Sequence, residues 1–403
     1  MTKSPFLDKN IVLGVTGSIA SYKAVDLASK LTQAGARVDV TLSSAAARFV
    51  TPLTFRSITH RPVVTDMFDP NSELSVEHVA LAEKADIVVV APATANTLAK
   101  LASGLADDTL TTTVIATTAP ILIAPAMDAN MYESPTVQAN LDALRNRGVV
   151  VVGPASGRLA SGLWGWGRLV EPSTLLGHIA AVLGKNGDLK DRTVVISAGG
   201  TVEPIDPVRV ITNRSSGKMG YALAEAARDR GARVLLVSTP TALPEPPTVE
   251  MHHVESVSQM REAVLHTCEE ADALIMAAAV SDFSPVETSA QKIKKTEGTD
   301  ELTLHLVPNA DFFVEVPEKV VKVGFAAESQ DLLENAEKKI RTKGLEFIVA
   351  NDITLEGAGF GVDNNKVTIL DNKGGALDLP LMTKYEVAHH VLDKLVEVLD
   401  RPK

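Results

Sequence analysis

The feature that most constrains this chain is an alternation of short, β-branched apolar runs with longer Ala-rich windows. Residues 11–16 and 37–42 are runs of the first kind, and the helical window 22–33 lies between them. Continuous apolar runs predict parallel strands that helices cover on both faces. Three more runs continue the pattern and predict one doubly wound sheet: 86–91, 121–124 and 149–152.

A second series of the same kind begins after a polar stretch. The helical window 173–183 is followed by residues 184–188, whose glycines and charges favour a flexible linker. Beyond it the windows 219–230 and 329–343 predict helices. The apolar runs between and after these helices predict the strands of a second sheet: 193–197, 233–237, 273–279, 320–325 and 347–350.

The pattern weakens near the C-terminus, where residues 367–370 and 376–379 flank an Asn-Lys-Gly-Gly turn and predict an antiparallel hairpin at the sheet edge. A closing helix is expected over 384–399. The whole chain is therefore predicted to be α/β, with two tandem doubly wound, Rossmann-like domains at 1–184 and 191–403 and a linker at 185–190.

Composition narrows the functional classes. The 403 residues carry 39 Lys and Arg against 50 Asp and Glu, and a net charge of −11 argues against sequence-independent nucleic-acid binding. No apolar run reaches the roughly 18 residues that a membrane helix needs. The lone Cys268 excludes an intramolecular disulfide and a thiolate cluster. We expect a cytoplasmic protein without a membrane or nucleic-acid partner.

Small polar residues follow several of the first predicted strands. The turn at 16–23 opens the first helix with free backbone N–H groups, which favour a phosphate, although a plain small-residue turn is the alternative. Ser43 ends the second strand, and Thr94 and Asn96 follow a buried one. His78 alone is more often packed or exposed than catalytic, and Met127 more often fills a core than walls a cofactor site.

In combination, the segments TGSIASYK, EHVALA, PATANT, LADD and PAM resemble the flavin-containing cysteine decarboxylase family over the whole first half. The resemblance implies a flavodoxin-like flavoprotein domain, with FMN oxidising a substrate thiol before CO₂ leaves. It makes His78 the base of the oxidising step. The residues implied to hold FMN phosphate and ribityl are Gly17, Ser18, Ile19, Ser43, Thr94 and Asn96, and Met127 is added as a cofactor contact.

Two positions depart from that family's pattern. Asp128 stands where the family has an Asn that binds the substrate carboxylate, so it must be protonated, shifted by a cation or relieved by a donor such as Asn130. Ser161 stands where the family has a flap Cys that donates a proton, and a hydroxyl is a much weaker acid. Either another donor serves or Ser161 relays water. Trp164 and Trp166 beside it are expected to be lid aromatics.

The second half carries a Gly turn, a cationic loop and a helix N-terminus, which suit a nucleotide phosphate, but it lacks the Walker A order. The segments SAGGT, SSGKMG, KIKK, NAD and GFAAES resemble phosphopantothenate–cysteine ligases. That resemblance implies a carboxylate activated by CTP with Mg²⁺ as an acyl-cytidylate, which Arg209 and Asn213 handle. The residues implied to contact CTP are Asp282, Lys292, Asn309, Asp311, Phe325, Lys339 and Lys343.

Joined together, the halves resemble the bacterial bifunctional decarboxylase and ligase family of coenzyme A biosynthesis. The resemblance implies homo-oligomers in which decarboxylase trimers are linked through ligase dimers. Two alternatives remain open from the residues alone. The first half could be a regulatory or binding domain that lost its activity, since Asp128 and Ser161 are substitutions that such drift produces, or a flavoprotein acting on another carboxylate.

Overall fold

The structure is a computed structural model that describes residues 4–68, 77–294, 301–328, 332–352, 359 and 361–401. Two residues of the segments quoted above lie outside those ranges, namely Lys295 and Ser329. The chain separates into two compact units, the first ending at Leu183 and the second beginning at Gly184.

The first unit alternates strands and helices from its N-terminal region to its end. Its strands are β1 (Asn10–Val15), β2 (Arg37–Leu42), β3 (Val63–Val64), β4 (Ile87–Ala93), β5 (Ile121–Pro125), β6 (Val150–Val151), β7 (Ala155–Arg158) and β8 (Trp164–Arg168). Its helices are α1 (Ser21–Gln33), α2 (Pro52–Thr59), α3 (Glu77–Lys84), α4 (Ala95–Ser103), α5 (Thr109–Ala116), α6 (Ala129–Tyr132), α7 (Pro135–Asn146) and α8 (Pro172–Gly184).

One sheet organises this unit, with the strand order β3-β2-β1-β4-β5-β6 and parallel pairing throughout. The doubly wound prediction is confirmed. The order is that of the Rossmann fold rather than the 2-1-3-4-5 order of flavodoxin, because the chain after β2 continues outward to β3 before it crosses back to β4. The reversal lies between β1 and β4, so the turns that leave these two strands open a crevice at the carboxyl edge.

The strands of this sheet are buried on both faces. Ile11 and Leu13 belong to an apolar cluster with the α1 and α8 side of the sheet, and Val12 belongs to a second cluster on the opposite face. This burial explains why the runs are continuous rather than alternating in polarity. It also fixes the strand ends, and hence the turns that carry the small polar residues.

The second unit begins with a new sheet. Its strands are β9 (Thr193–Ala198), β10 (Val202–Pro204), β11 (Val210–Thr212), β12 (Arg233–Ser238), β13 (Glu250–His253), β14 (Ala273–Met276), β15 (Phe283–Pro285), β16 (Leu306–Pro308), β17 (Val321–Glu328), β18 (Phe347–Asp352), β19 (Asn364–Asn365), β20 (Val367–Asp371), β21 (Ala376–Asp378) and β22 (Met382–Thr383). Its helices are α9 (Lys218–Arg228), α10 (Val257–Cys268), α11 (Leu332–Lys343) and α12 (Lys384–Leu399).

The order of its main sheet is β13-β12-β9-β14-β17-β18-β20-β21. The strands from β13 to β18 pair in parallel, whereas β18 with β20 and β20 with β21 pair antiparallel, which confirms the predicted edge hairpin. α12 begins at a capping box, in which the Thr383 side chain accepts from Glu386 N–H and the Glu386 carboxylate accepts in return.

The residues predicted as a flexible linker make specific contacts within the second unit. Leu189 is fully buried, and its N–H donates to the carbonyl of Arg230 at 3.0 Å. Asp188 accepts from the guanidinium of Arg230 at 2.8 Å. Gly187 lies against the same backbone, where a Cβ would come within 2.4 Å of the Arg230 carbonyl oxygen. These contacts attach residues 187–189 to the end of α9.

Among the described residues, no helix combines the length and the apolar character that a membrane crossing requires.

Candidate active sites

A cavity of about 650 Å³ opens at the carboxyl edge of the first sheet. It lies where α1 and α4 begin, beside the chain after β2 and after β5, and the hairpin β7–β8 forms one wall. Its lining includes every residue of the first half that the sequence predicted as a cofactor contact, and also the two atypical positions: Gly17, Ser18, Ile19, Ser43, Thr94, Asn96, Met127, Asp128 and Ser161.

The turn between β1 and α1 presents backbone N–H groups to this cavity. No side chain caps the start of α1, and the first turn contains no acidic residue. A side chain at Gly17 would clash with the neighbouring turn, because a Cβ there would lie 2.4 Å from the Cβ of Ala45. The close approach of these two turns forms a narrow cradle at a helix N-terminus, which suits an anionic group.

One hydroxyl group joins the chain after β1 to the end of β4, where the strand order reverses. Thr16 is buried, its Oγ1 donates to the carbonyl of Pro92 at 2.7 Å, and the same atom accepts from the N–H of Thr94 at 3.1 Å. Thr94 in turn caps α4 by accepting from the N–H of Thr97. Two helix N-termini, those of α1 and α4, therefore line one cavity in fixed register.

The hairpin β7–β8 is attached to the sheet at a glycine. Met127 donates its N–H to the carbonyl of Gly167 at 2.9 Å, and a Cβ on Gly167 would lie 2.2 Å from the Met127 oxygen. Trp164 and Trp166, predicted as lid aromatics, are 78% and 53% exposed and are not among the lining residues. The lining residues of the hairpin region instead include Arg158, Leu159, Ser161 and Arg168.

The two residues that depart from the family pattern contact each other. Ser161 Oγ donates to Asp128 Oδ2 at 2.6 Å, across 33 residues of sequence. The second carboxylate oxygen, Oδ1, accepts from the backbone N–H of Asn130 at 3.1 Å. Asn130 is thus a donor to Asp128, as the sequence suggested, but through its backbone.

Cations in the cavity wall were not predicted as functional residues. Lys23 is buried, and its Nζ donates to the carbonyl of Leu169 at 2.9 Å and to Glu171 Oε1 at 2.8 Å. Hydrogen bonding to Asp107, 2.6 Å away, raises the pKa of Lys100 above its ordinary value. Lys23 ends the first motif, so its position after the phosphate-type turn was the available signal.

His78 lies on α3, half-buried, and is not among the residues that line the cavity of its own chain. The helix precedes β4 by two residues and packs against α5. A helix that connects parallel strands runs antiparallel to them, so the first turn of α3, with His78, lies toward the carboxyl edge. The catalytic role assigned to His78 stays a prediction.

In the second unit, Asp206 joins two predicted segments. Its buried carboxylate accepts from the N–H groups of Val208 and Arg209 at 2.8 Å and from that of Ile293 at 3.1 Å. Burial opposes ionisation, yet these N–H groups and the charge of Arg209 hold the pKa of Asp206 below its ordinary value. Arg209 donates to the carbonyl of Ile293. Lys292, beside it, is exposed.

A second group of predicted residues lies around the chain that follows β14. Asn213 donates from Nδ2 to the carbonyls of Ala279 at 3.1 Å and Val280 at 3.2 Å. Asn309 donates through its backbone to Asp282 and through Nδ2 to the carbonyl of Ser281, each at 2.8 Å. The structure therefore brings Asn213, Asp282 and Asn309 to one chain segment at the carboxyl edge.

The remaining predicted contacts lie farther along the chain. Lys343 pairs with Asp311 at 2.8 Å, and its Nζ lies 5.2 Å from the ring centre of Phe313. Phe325 is in β17 opposite Val349, and Lys339 lies one helical turn before Lys343 on α11. Asp311 and Lys343 thus form an ion pair in which each neutralises the charge of the other.

Sequence reasoning missed the polar residues that support this segment. Glu203 accepts from Val257 N–H at 2.8 Å and from Ser284 Oγ at 3.0 Å, and Ser284 also donates to Asn309 at 2.7 Å. The hydroxyl of Ser281 is buried without a hydrogen-bond partner among the described residues, as is that of Thr239 at the end of β12. Such orphaned atoms at a carboxyl edge suit a polar ligand.

No group of three or more His, Cys, Asp or Glu side chains is arranged to hold a metal ion in the part of the chain that the structure describes.

Comparison with known proteins divides the chain at the same place. Residues 2–184 match the family described as "Flavoprotein", and residues 189–399 match "DNA/pantothenate metabolism flavoprotein C-terminal domain". The coenzyme A biosynthesis bifunctional protein CoaBC of Bacillus subtilis is 46% identical over 396 residues, which cover 96% of this chain and 97% of that protein.

Two solved structures are similar to one half each. The crystal structure of the C-terminal domain of a CoaBC protein is 39% identical and covers 53% of this chain and 98% of its own, with a TM-score of 0.46. The structure of the FMN-dependent cysteine decarboxylase SpaF is 33% identical and covers 44% of this chain and 97% of its own, with a TM-score of 0.39.

Proposed function

Because this chain belongs to the CoaBC family of coenzyme A biosynthesis bifunctional proteins, we propose a division of work between its two units. The protein is a phosphopantothenate–cysteine ligase and a phosphopantothenoylcysteine decarboxylase. The first unit is the flavoprotein and decarboxylates, and the second unit ligates. The same membership decides against the alternatives of a regulatory domain and of a flavoprotein for another carboxylate.

The flavin of the first unit is FMN, held in the 650 Å³ cavity. The support is the fit of the cavity to a phosphate-bearing group, since Gly17 leaves room for an anion at the start of α1 and Ser18 and Ser43 supply hydroxyls beside it. Thr94 and Asn96, at the start of α4, suit the ribityl hydroxyls. When bound, FMN supplies the electron acceptor for the substrate thiol and the donor for the final reduction.

The protein's own side chains orient and deprotonate the substrate. The cations Arg158 and Arg168 lie in the hairpin wall and offer charge to the anionic substrate. Asp128 accepts from Ser161 Oγ and from Asn130 N–H, which orient its carboxylate toward the hairpin. His78 is the proposed base. It does not line the cavity of its own chain, so the thiol that it deprotonates would be bound in the cavity of a neighbouring copy.

The cofactor assignment is tested at Gly17. Gly17→Ala places a methyl group 2.4 Å from the Cβ of Ala45, so we expect FMN affinity to fall at least about tenfold, measured by flavin absorbance after gel filtration. The double variant Gly17→Ala with Ala45→Gly removes the opposing methyl group and should recover most of the binding. Normal flavin content in Gly17→Ala would show that the cradle does not hold the cofactor.

For the second unit we propose CTP as the nucleotide and Mg²⁺ as its counterion. The nucleotide would be held at the carboxyl edge by Asn213, Asp282 and Asn309, where the orphaned Ser281 hydroxyl offers a further contact. Mg²⁺ that is bound mainly by phosphates and water needs few protein ligands. Arg209, positioned by Asp206, and Lys292 would neutralise the charge of the activated carboxylate and the triphosphate. Further contacts are proposed for Asp311, Phe325, Lys339 and Lys343.

The assembly and compartment are also proposals. A catalytic His78 outside its own cavity fits a homo-oligomer in which a neighbouring copy completes the decarboxylase site, and the implied assembly is decarboxylase trimers linked through ligase dimers. A cytoplasmic location fits the single buried Cys268.

One product analysis tests the whole assignment. The purified protein is incubated with 4′-phosphopantothenate, cysteine, CTP and Mg²⁺, and the products are identified by mass spectrometry. We expect phosphopantothenoylcysteine first and 4′-phosphopantetheine second. Replacement of CTP by ATP without loss of rate would contradict the nucleotide proposal and leave the ligase assignment intact.

A further inference from the structure

In the second unit, the side chain of Asn309 is held at both ends of its amide group. Nδ2 donates to the carbonyl of Ser281 at 2.8 Å, and Oδ1 accepts from Ser284 Oγ at 2.7 Å. A carbonyl can only accept, so the contact with Ser281 identifies Nδ2 and leaves Oδ1 facing Ser284. Each end keeps one further hydrogen-bonding position, a second hydrogen on Nδ2 and a second lone pair on Oδ1. The amide therefore offers a ligand one donor and one acceptor in a fixed arrangement.

Ser284 reaches Asn309 across a short hairpin. It lies in β15 opposite Val307 of β16, and Asn309 directly follows β16. The terminal torsion of an Asn side chain has only broad preferences, so the bond to Ser281 alone would leave the amide able to rotate. The second bond, from Ser284, removes that freedom. The orientation of Asn309 thus depends on a hydroxyl that lies 25 residues earlier in the chain.

The hydroxyl of Ser284 has a second acceptor. Glu203 is buried, and its Oε2 lies 3.0 Å from the same Ser284 Oγ. A serine hydroxyl carries one hydrogen, so Glu203 and Asn309 share it, and the contact with Asn309 is the shorter one. The other oxygen of Glu203, Oε1, accepts from the N–H of Val257 in the first turn of α10. Glu203 is therefore fixed by α10 and holds the Ser284 side chain in turn.

A second observation points to a polar ligand beside this amide. The hydroxyl of Ser281 is buried and has no hydrogen-bond partner among the described residues. The backbone of Ser281 is nevertheless fixed, because its N–H donates to Thr201 Oγ1 at 2.8 Å and its carbonyl accepts from Asn309. An unpaired buried hydroxyl costs free energy that a ligand with a polar group can recover. The unpaired hydroxyl and the oriented amide therefore belong to the same residue pair.

We propose that Ser284 is a positioning residue for the nucleotide of the ligase. Its hydroxyl sets the orientation of the Asn309 amide, and Glu203 holds that hydroxyl in place. The inference rests on the proposed function, since it takes Asn309 as a contact of CTP. Because Ser284 acts through Asn309, it affects how tightly the nucleotide binds more than it affects the chemical steps.

The first experiment compares variants of Ser284 that differ in the hydroxyl. Ser284→Thr keeps it, Ser284→Val has the same shape without it, and Ser284→Ala removes it without adding volume. Binding of CTP with Mg²⁺ to the full chain is measured by isothermal titration calorimetry. Loss of one hydrogen bond corresponds to roughly a five- to tenfold effect, so Kd should rise by that factor in the Val and Ala variants. Ser284→Thr should stay within about threefold of wild type. Wild-type affinity in Ser284→Ala, or equal affinities of the Thr and Val variants, would overturn the proposal.

The kinetics of ligation separate positioning from general damage. In Ser284→Ala the KM for CTP should rise with the Kd, while kcat changes less than about threefold. At saturating CTP, the KM values for 4′-phosphopantothenate and for cysteine should change less than about twofold, since Asn309 is assigned to the nucleotide. A rise of all three KM values together, or a loss of kcat with unchanged CTP affinity, would overturn the proposal. Decarboxylation of added phosphopantothenoylcysteine verifies that the chain is intact.

A change at Glu203 tests the shared hydrogen. Glu203→Gln keeps the shape of the side chain, and its oxygen must face the N–H of Val257, which turns its Nε2 toward Ser284 Oγ. The hydroxyl hydrogen then belongs to Asn309 alone, so CTP should bind at least as tightly as to wild type. With Ser284→Ala added, binding should be as weak as in Ser284→Ala, because the effect passes through the hydroxyl. Binding more than about threefold weaker in Glu203→Gln alone would overturn the proposal. Absence of CTP binding by the wild-type protein would instead contradict the proposed function.

Discussion

The two units carry their predicted residues in different ways. In the first unit, the turns after β1, β2, β4 and β5 reach one cavity, and each begins where a buried strand ends. In the second unit the predicted residues form separate groups, one around the chain after β14, one around Asp206 and one at the pair Asp311–Lys343. A turn directly after a strand is positioned by the sheet, whereas a long excursion must be positioned by its own polar contacts.

The largest expected effect tests whether the residues that line the first cavity are sufficient for decarboxylation. His78→Asn should lower CO₂ release by about 10³-fold, although His78 is absent from the cavity lining of its own chain. The measurement is CO₂ from added phosphopantothenoylcysteine, with His60→Asn as the control on an exposed helix end. If His78→Asn keeps its rate, the residues that line the cavity suffice.

The next effect tests whether the two sites are independent. Lys292→Gln should slow CTP-dependent pyrophosphate release about 10²-fold, because it removes a charge assigned to the triphosphate, and should leave decarboxylation unchanged. Lys373→Gln, in the turn of the edge hairpin, is the control. Equal loss of both activities in Lys292→Gln would show that the units do not work separately.

A comparison of two fragments tests whether residues 184–190 belong to the fold of the second unit. Both fragments 184–403 and 191–403 contain every predicted ligase residue, so both should ligate. The shorter one loses the buried Leu189 and the pairing of Asp188 with Arg230. We expect it to unfold with about 2–4 kcal/mol less stability in urea. Equal stability would show that residues 184–190 act only as a tether.

The smallest effect concerns Cys268 in the second unit. Burial raises the pKa of this thiol to about 12, so at pH 8 it stays neutral and should label with thiol reagents far more slowly than in the unfolded chain. Cys268→Ser should change decarboxylation less than twofold. A larger loss of thiol product would mean that Cys268 takes part in the decarboxylation.

The fold could be predicted where local signals agree with burial. Residues 37–42 and 384–399 match β2 and α12 at both ends, since a buried run and a capping box mark them. The strand predicted over 273–279 ends at Met276 instead. The ladder is interrupted there because Ala278 N–H donates to the side chain of Ser197, and Ala279 returns to the same register only as an isolated parallel bridge with Gly200.

The sites could be predicted only in part. The small residues of the first cavity follow strands, so their convergence was foreseeable from topology. The engagement of Lys23 depends on Leu169, 146 residues away, and the contact of Asp128 with Ser161 depends on how the hairpin β7–β8 folds back. No local pattern encodes such distances. Whether the predicted residues perform their assigned roles stays a prediction.

The cavity of the first unit is assembled from turns that span residues 17 to 169, so it exists only when nearly all of that unit is folded. A ligand that binds only the folded state adds RT ln(1 + [L]/Kd) to its stability, or about 2.7 kcal/mol at a hundredfold excess over Kd. We therefore expect bound flavin to protect the folded first unit from proteolysis, so that a lack of flavin lowers the amount of this unit as well as its activity.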